Sequence, residues 1–113
     1  MKNSKLGFVS ILLAAISLNS YAGGSLPSKQ IEKIAFQNGG VFLYASGWPN
    51  PNTCSKVDAV VLQNSDPNYD KAYALILAAY MSGKKISGYS DKCTPLDGQT
   101  YNTIRGYKYL LVQ

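Results

Sequence analysis

The sequence predicts a mainly β domain of five strands with a single helix between the third and the fourth. Two observations carry that expectation. Short runs rich in β-branched and aromatic residues, such as Val41–Ser46 (VFLYAS) and Val57–Gln63 (VDAVVLQ), are separated by Gly, Pro and Asn clusters. One longer apolar stretch, Lys71–Gly83 (KAYALILAAYMSG), instead has helical length with start and stop residues at its ends.

The first 22 residues read as an export signal preceding that domain. Lys2 and Lys5 make a positive start, Leu6–Leu18 is an apolar run of signal length, and Ser20-Tyr21-Ala22 offers small residues to a signal peptidase. The run is short for a bilayer, so the expectation is cleavage near Gly23, a periplasmic or secreted product, and no stable membrane insertion afterwards. Residues 23–113 then make one domain, small enough to need a staple. Cys54 and Cys93, the two cysteines of the chain, supply it as a disulfide in an oxidising compartment. The closed loop of about 40 residues corresponds to about 4 kcal/mol in the chain-entropy picture.

Gly23–Ser28 reads as a flexible lead-in and Gln30–Gln37 as the first strand, although its apolar positions do not alternate cleanly. Asn38-Gly39 is a hairpin turn returning into Val41–Ser46. Gly47–Ser55 (GWPNPNTCS) is a loop, because its two prolines cannot donate to a ladder and its asparagines favour turns. Val57–Gln63 is the third strand. Asp66 as N-cap, Pro67 at the first helical position and Asp70 in the first turn start the helix; Gly83 ends it, with Lys84 and Lys85 beyond. Lys85–Ser90 is the fourth strand, Thr94–Asn102 a loop and Thr103–Val112 the last strand. This is the order of the small OB-type barrel, whose closure removes exposed sheet edges. An open α+β sheet with one packed helix is the alternative.

The helix is apolar on more than one face. Ala72, Tyr73, Ile76, Ala79 and Tyr80 form one stripe, while Leu75, Ala78 and Met81 lie off it. Either the alanines leave an inconspicuous outer face, or that second face packs against another copy in a homo-oligomer.

Chemistry is read mostly by exclusion. The chain has no histidine, which removes Ser-His-Asp and Cys-His arrangements. There is no P-loop, no dinucleotide fingerprint and no metal-ligand cluster, so neither metal nor cofactor is expected, and no enzyme. Asp91 and Asp97 are the carboxylates from which a small hydrolase would have to be built. Eleven basic and six acidic residues give a formal charge of +5; Lys2 and Lys5 belong to the signal, so the domain itself carries +3. Those charges are scattered rather than gathered on a face, which argues against a nucleic-acid partner. What stands out is aromatic and amide content in loops: Trp48 with Asn50 and Asn52, and Tyr89 with Asp91. Sugars are held by that combination, an aromatic face against the ring and polar groups on its edges. The same residues also serve ordinary loops, with Trp48 capping the core. The expected function is therefore an exported, non-enzymatic binding module for glycan or another envelope or extracellular ligand. The alternative is a periplasmic interaction, inhibitor or immunity-like protein.

Cys54, the segment Ile76–Ile86 (ILAAYMSGKKI), Cys93 and Thr103–Val112 resemble a family of small exported proteins of Gram-negative bacteria. More distantly, the strand order and the helix are similar to the OB-fold B subunits of AB5-type toxins, notably the subtilase-cytotoxin kind. That resemblance implies ring assembly through the helix and edge strands, with glycan contacts in loops; it carries no site residue over to this chain.

Overall fold

The computed structural model describes residues 23–113; the proposed signal peptide, residues 1–22, lies outside them. The described chain contains eight strands and one helix: β1 (Gly24–Gln30), β2 (Lys33–Gln37), β3 (Gly40–Tyr44), β4 (Lys56–Gln63), α1 (Tyr69–Ser82), β5 (Lys85–Ser90), β6 (Cys93–Leu96), β7 (Gln99–Thr103) and β8 (Leu111–Val112). They form two sheets, in the orders β1-β5-β8 and β2-β3-β4-β7-β6. The fold is thus mainly β with one helix, and no closed five-stranded barrel forms among the described residues. The difference from the expected strand count has three sources.

The first is the segment before the Asn-Gly turn. β1 pairs antiparallel with β5, Leu26 opposite Gly88, whereas β2 pairs with β3, Phe36 opposite Val41. Only Ile31 and Glu32 separate the two strands, so the chain passes from one sheet to the other there. A segment that changes sheets cannot keep a single in/out alternation, which accounts for the irregular pattern of Gln30–Gln37. The lead-in Gly23–Ser28 is mostly strand, because Leu26 is buried in the core.

The second is Thr94–Asn102, which is a hairpin rather than a loop. Cys93–Leu96 pairs with Gln99–Thr103 around Asp97-Gly98. Both turn residues have positive φ, 51° and 76°, the geometry that a two-residue hairpin with right-handed twist requires.

The third is the C-terminal segment. Of Thr103–Val112 only the two ends are strand. Ile104 N–H still bonds Val61 C=O, but Arg105 N–H turns to Tyr89 C=O and Gly106 N–H to the Asp66 carboxylate. Those bonds pull residues 105–106 out of the ladder.

The helix matches its expected end and departs from its expected start. Gly83 is left-handed (φ 72°); its N–H bonds Tyr80 C=O and Lys84 N–H bonds Ala79 C=O, which satisfies two carbonyls of the last turn. At the other end Asn68, not Asp66, precedes the first helical residue, and Pro67 lies in the preceding turn. Asp66 accepts Asn68 N–H at 2.9 Å instead of capping deeper in the helix. Its other oxygen is held by residues 105 and 106.

Ala72, Ile76 and Ala79 bury one side of α1 against β4 and β5. They join Leu26, Val41, Leu43, Trp48, Val60, Leu62, Ile86 and Ile104 in the main core. The opposite face of the larger sheet has a smaller cluster of Phe42, Ala59 and Val61, covered by Tyr44, Leu96 and Tyr101. β4 is therefore apolar on both faces over Ala59–Leu62, as its central place and its parallel pairing with β7 demand. Cys54 and Cys93 form the expected disulfide, with Cα atoms 5.7 Å apart. No described helix is long and apolar enough to cross a membrane.

Candidate functional site

The loop residues singled out in the sequence separate into two places. Asn50, Asn52 and Asp91 belong to one hydrogen-bonded network that runs from the disulfide loop to the start of α1. Asn50 fixes its own loop, accepting Cys54 N–H at 2.8 Å and donating to Cys54 C=O at 2.9 Å. It also accepts from the Asn102 amide at 2.9 Å. Asn52 donates to Asn102 Oδ1 at 3.0 Å and to Ser90 Oγ at 2.9 Å. Ser90 and Thr103 hydroxyls lie 3.3 Å apart, and Thr103 donates to Asp91 Oδ1 at 2.8 Å.

From Asp91 the network continues through charge. Arg105 Nη1 donates to Asp91 Oδ2 at 3.1 Å, and Arg105 Nε donates to Asp66 Oδ2 at 3.0 Å. Tyr107 OH completes the shell of Asp91 at 3.3 Å. Partial burial pushes the Asp91 carboxyl up, but the Thr103 hydroxyl, the Arg105 guanidinium and the Tyr107 hydroxyl together outweigh it. The net result holds the group below the ordinary carboxylate range. Asp66 is the buried member, and its bonds to Arg105, Gly106, Asn68 and Tyr69 join the C-terminal segment to the helix start.

This network is saturated and mostly inaccessible. Ser90, Asn102 and Thr103 are fully buried and Asn52 nearly so. A buried polar group must be satisfied internally, and here the amides of Asn52 and Asn102 meet each other and their neighbours. Tyr89 stands beside the network: its carbonyl accepts Arg105 N–H, and Lys108 Nζ sits 4.1 Å over its ring. Asp97 is apart from Asp91, in the β6–β7 turn, where it accepts from the Gln37 amide. The structure does not bring the two carboxylates of the imagined hydrolase into one site.

Trp48 takes no part in the network. It is 5 % exposed and packed into the main core, and its Nε1 has no hydrogen-bond partner. It also lines a surface groove of about 440 Å³ with Glu32, Lys33, Tyr44, Ala45, Ser46, Gly47, Val57 and Asp58. The groove forms where the chain leaves β3 and enters β4. Glu32 accepts Ser46 Oγ at 2.9 Å and Ser46 N–H at 3.3 Å, which fixes one wall. Lys33 Nζ stands 4.7 Å over the Tyr44 ring. Burial, then Tyr101 and Asp58, push the Tyr44 phenol above its ordinary value, so it stays a neutral donor and acceptor at physiological pH. The lining thus offers aromatic surface, two carboxylates (Glu32 and Asp58), an ammonium and hydroxyls.

Apart from Trp48, sequence reasoning missed this groove. The sequence places Glu32 within the strand Gln30–Gln37, whereas it sits at the crossing between the two sheets, and Asp58 is an exposed residue of a strand whose second half is buried. Only the bend between β1 and β2 brings them to one place.

Leu75, Ala78 and Met81, the residues of the second helix face, are all exposed, Met81 by 75 %. The chain matches no known protein family, and comparison with curated proteins and with solved structures finds no match either.

Proposed function

We propose that this is an exported, non-enzymatic binding module of OB-like design that holds a saccharide of the envelope or the extracellular medium in the Trp48 groove. The OB-like reading is supported by the antiparallel β1–β5 pair, the parallel β4–β7 pair and the near-continuity of β1 and β2 across the two sheets. A partly open barrel of that design places its ligands on the face of the second and third strands and in the adjoining loops. The groove adjoins β3, β4 and the loop Gly47–Ser55 between them. Export is supported by the disulfide, which persists in oxidising compartments, and by the signal-like start.

The observation that carries the reading is the composition of the groove. Tyr44 and Val57 present apolar surface, backed by the buried Trp48, while Glu32, Ser46 and Asp58 present acceptors and a hydroxyl around it. A pyranose ring has the matching pattern, an apolar C–H face and a polar rim. Glycan-array and calorimetric binding to the disulfide-bonded protein of residues 23–113 tests it. Glu32→Gln and Asp58→Asn are expected to weaken binding about tenfold each, in line with the loss of one charged hydrogen bond. Trp48→Ala is a poor probe, because it also removes core. Binding that is unchanged in both variants, or absent for every saccharide, overturns the proposal.

A further inference from the structure

The four sheet edges formed by the described residues are not equally guarded. β1 is interrupted by a register shift between Leu26 and Lys29, with Pro27 inside it. β8 has only two residues. β6 carries Pro95. The two-residue turn at Asp97-Gly98 puts Leu96 and Thr94 in the bonds to β7, so Pro95 faces outward and removes a donor from that edge. β2 has none of these devices: five residues, no proline, no internal shift. It also exposes Phe36 by 65 %. A regular, unprotected and partly apolar edge is a template for another strand.

The register tells which backbone groups are free for it. Ala45 N–H bonds Asp58 C=O and Asn64 N–H bonds Gly39 C=O, so the odd-numbered residues of β3 bond to β4 and the even-numbered ones to β2. Lys33, Ala35 and Gln37 are therefore the β2 residues bonded to β3, and Ile34 and Phe36 direct their N–H and C=O groups outward.

We propose that the β2 edge pairs with the β2 edge of a second copy of this chain, antiparallel and centred on Ala35, joining the two larger sheets across a twofold axis. In that register Ile34 exchanges both backbone bonds with the partner's Phe36, and Phe36 with the partner's Ile34. The two apolar residues, which share the helix-side face of the strand, meet in pairs there. Phe36 already packs on Tyr73 of α1 at 5.2 Å between ring centroids, so the pairing extends an aromatic surface that is half covered. On the other face Lys33 falls opposite the partner's Gln37. Gln37 holds Asp97 through its amide, so each Lys33 approaches a carboxylate and no like charges meet directly across the axis. Self-complementarity of this kind favours a second copy as the occupant over an unrelated strand. The exposed face of α1 (Leu75, Ala78, Met81) has no comparable register to name what would cover it.

The test is sedimentation of the disulfide-bonded protein of residues 23–113 across a concentration series up to about 1 mM, with two kinds of variant. Phe36→Lys, at a mostly exposed site whose fold contact is the Tyr73 ring, is expected to weaken dimerisation at least tenfold while leaving the circular dichroism unchanged. Ala35→Cys is expected to form a covalent dimer under mild oxidation. In the proposed register it faces itself in a non-hydrogen-bonded pair, where Cα atoms lie about 4.5 Å apart, within disulfide reach. Lys33→Cys, displaced from its own copy by about 13 Å, is expected to stay uncrosslinked. A monomer at every concentration, a closed ring of more than two copies, or a dimer in which Ala35→Cys does not crosslink overturns the proposal. None of these outcomes depends on whether the groove binds a saccharide.

Discussion

At Asp91 three donors from the C-terminal segment converge on one carboxylate: Thr103 Oγ1 at 2.8 Å, Arg105 Nη1 at 3.1 Å and Tyr107 OH at 3.3 Å. Together they outweigh partial burial and lower its pKa in the folded state. A lowered folded-state pKa means that the ionised form is bound more tightly in the fold than in the unfolded chain. The stabilisation is therefore fully present above the unfolded carboxylate value of about 3.9, and it is lost as pH falls through the folded value. Asp91→Asn is expected to lower stability near neutral pH by about 1 kcal/mol, solvent screening keeping the loss small at a side chain still 27 % exposed. In urea unfolding from pH 7 to pH 2 the gap between the two proteins should close below about pH 4; a gap constant over that range would mean that the charge of Asp91 is not what stabilises. Asn52 and Trp48 mark the limit of reading at this scale. Their types suit ligand contact and core alike, and only burial separates the two roles.

Among the elements, α1 was the most legible, because its punctuation is local. A left-handed glycine after an apolar helical run needs no tertiary information, and Gly83 ends the helix where the sequence places its end. A Cβ there would meet only Gln30 Nε2 at 3.5 Å, an ordinary contact, so Gly83→Ala isolates the backbone cost. It is expected to destabilise by about 1 kcal/mol, read as a lower urea midpoint at unchanged slope. The start of α1 was misplaced because Asp66 has a distant claim on it: Arg105 and Gly106 hold the carboxylate that would otherwise cap the helix. The β6–β7 hairpin had its signal in plain view, Asp97-Gly98. Pro95 argued against a strand there, yet an edge strand accepts proline on its outer side. β1 and β8 were hidden more deeply. Each pairs with β5, far away in sequence, and a strand defined only by its partner carries little local pattern. The groove shares that origin, since the sheet crossing at Ile31–Glu32 creates it.

Over the whole molecule, two kinds of tie act on the larger sheet, one joining it to the start of α1 and one clipping the loop ahead of its β4 to its β6. One is the polar network from Asn50 to Asp66, and the other is the disulfide between Cys54, ahead of β4, and Cys93, at the head of β6. The bond and the network begin at the same loop, for Asn50 accepts Cys54 N–H and receives the Asn102 amide from β7. Hydrogen bonds and the core packing of Trp48 thus hold this loop alongside the disulfide, which acts chiefly on the unfolded chain, whose freedom it restricts across 39 residues. The double variant Cys54→Ser/Cys93→Ser is expected to fold to the same structure at a loss of about 4 kcal/mol, a large share of the stability of so small a domain. Because the uncrosslinked unfolded chain exposes more surface, its urea slope should rise as its midpoint falls. A lower midpoint at unchanged slope, with amide-exchange protection lost only in β6 and β7, would place the effect of the bond in the folded hairpin instead.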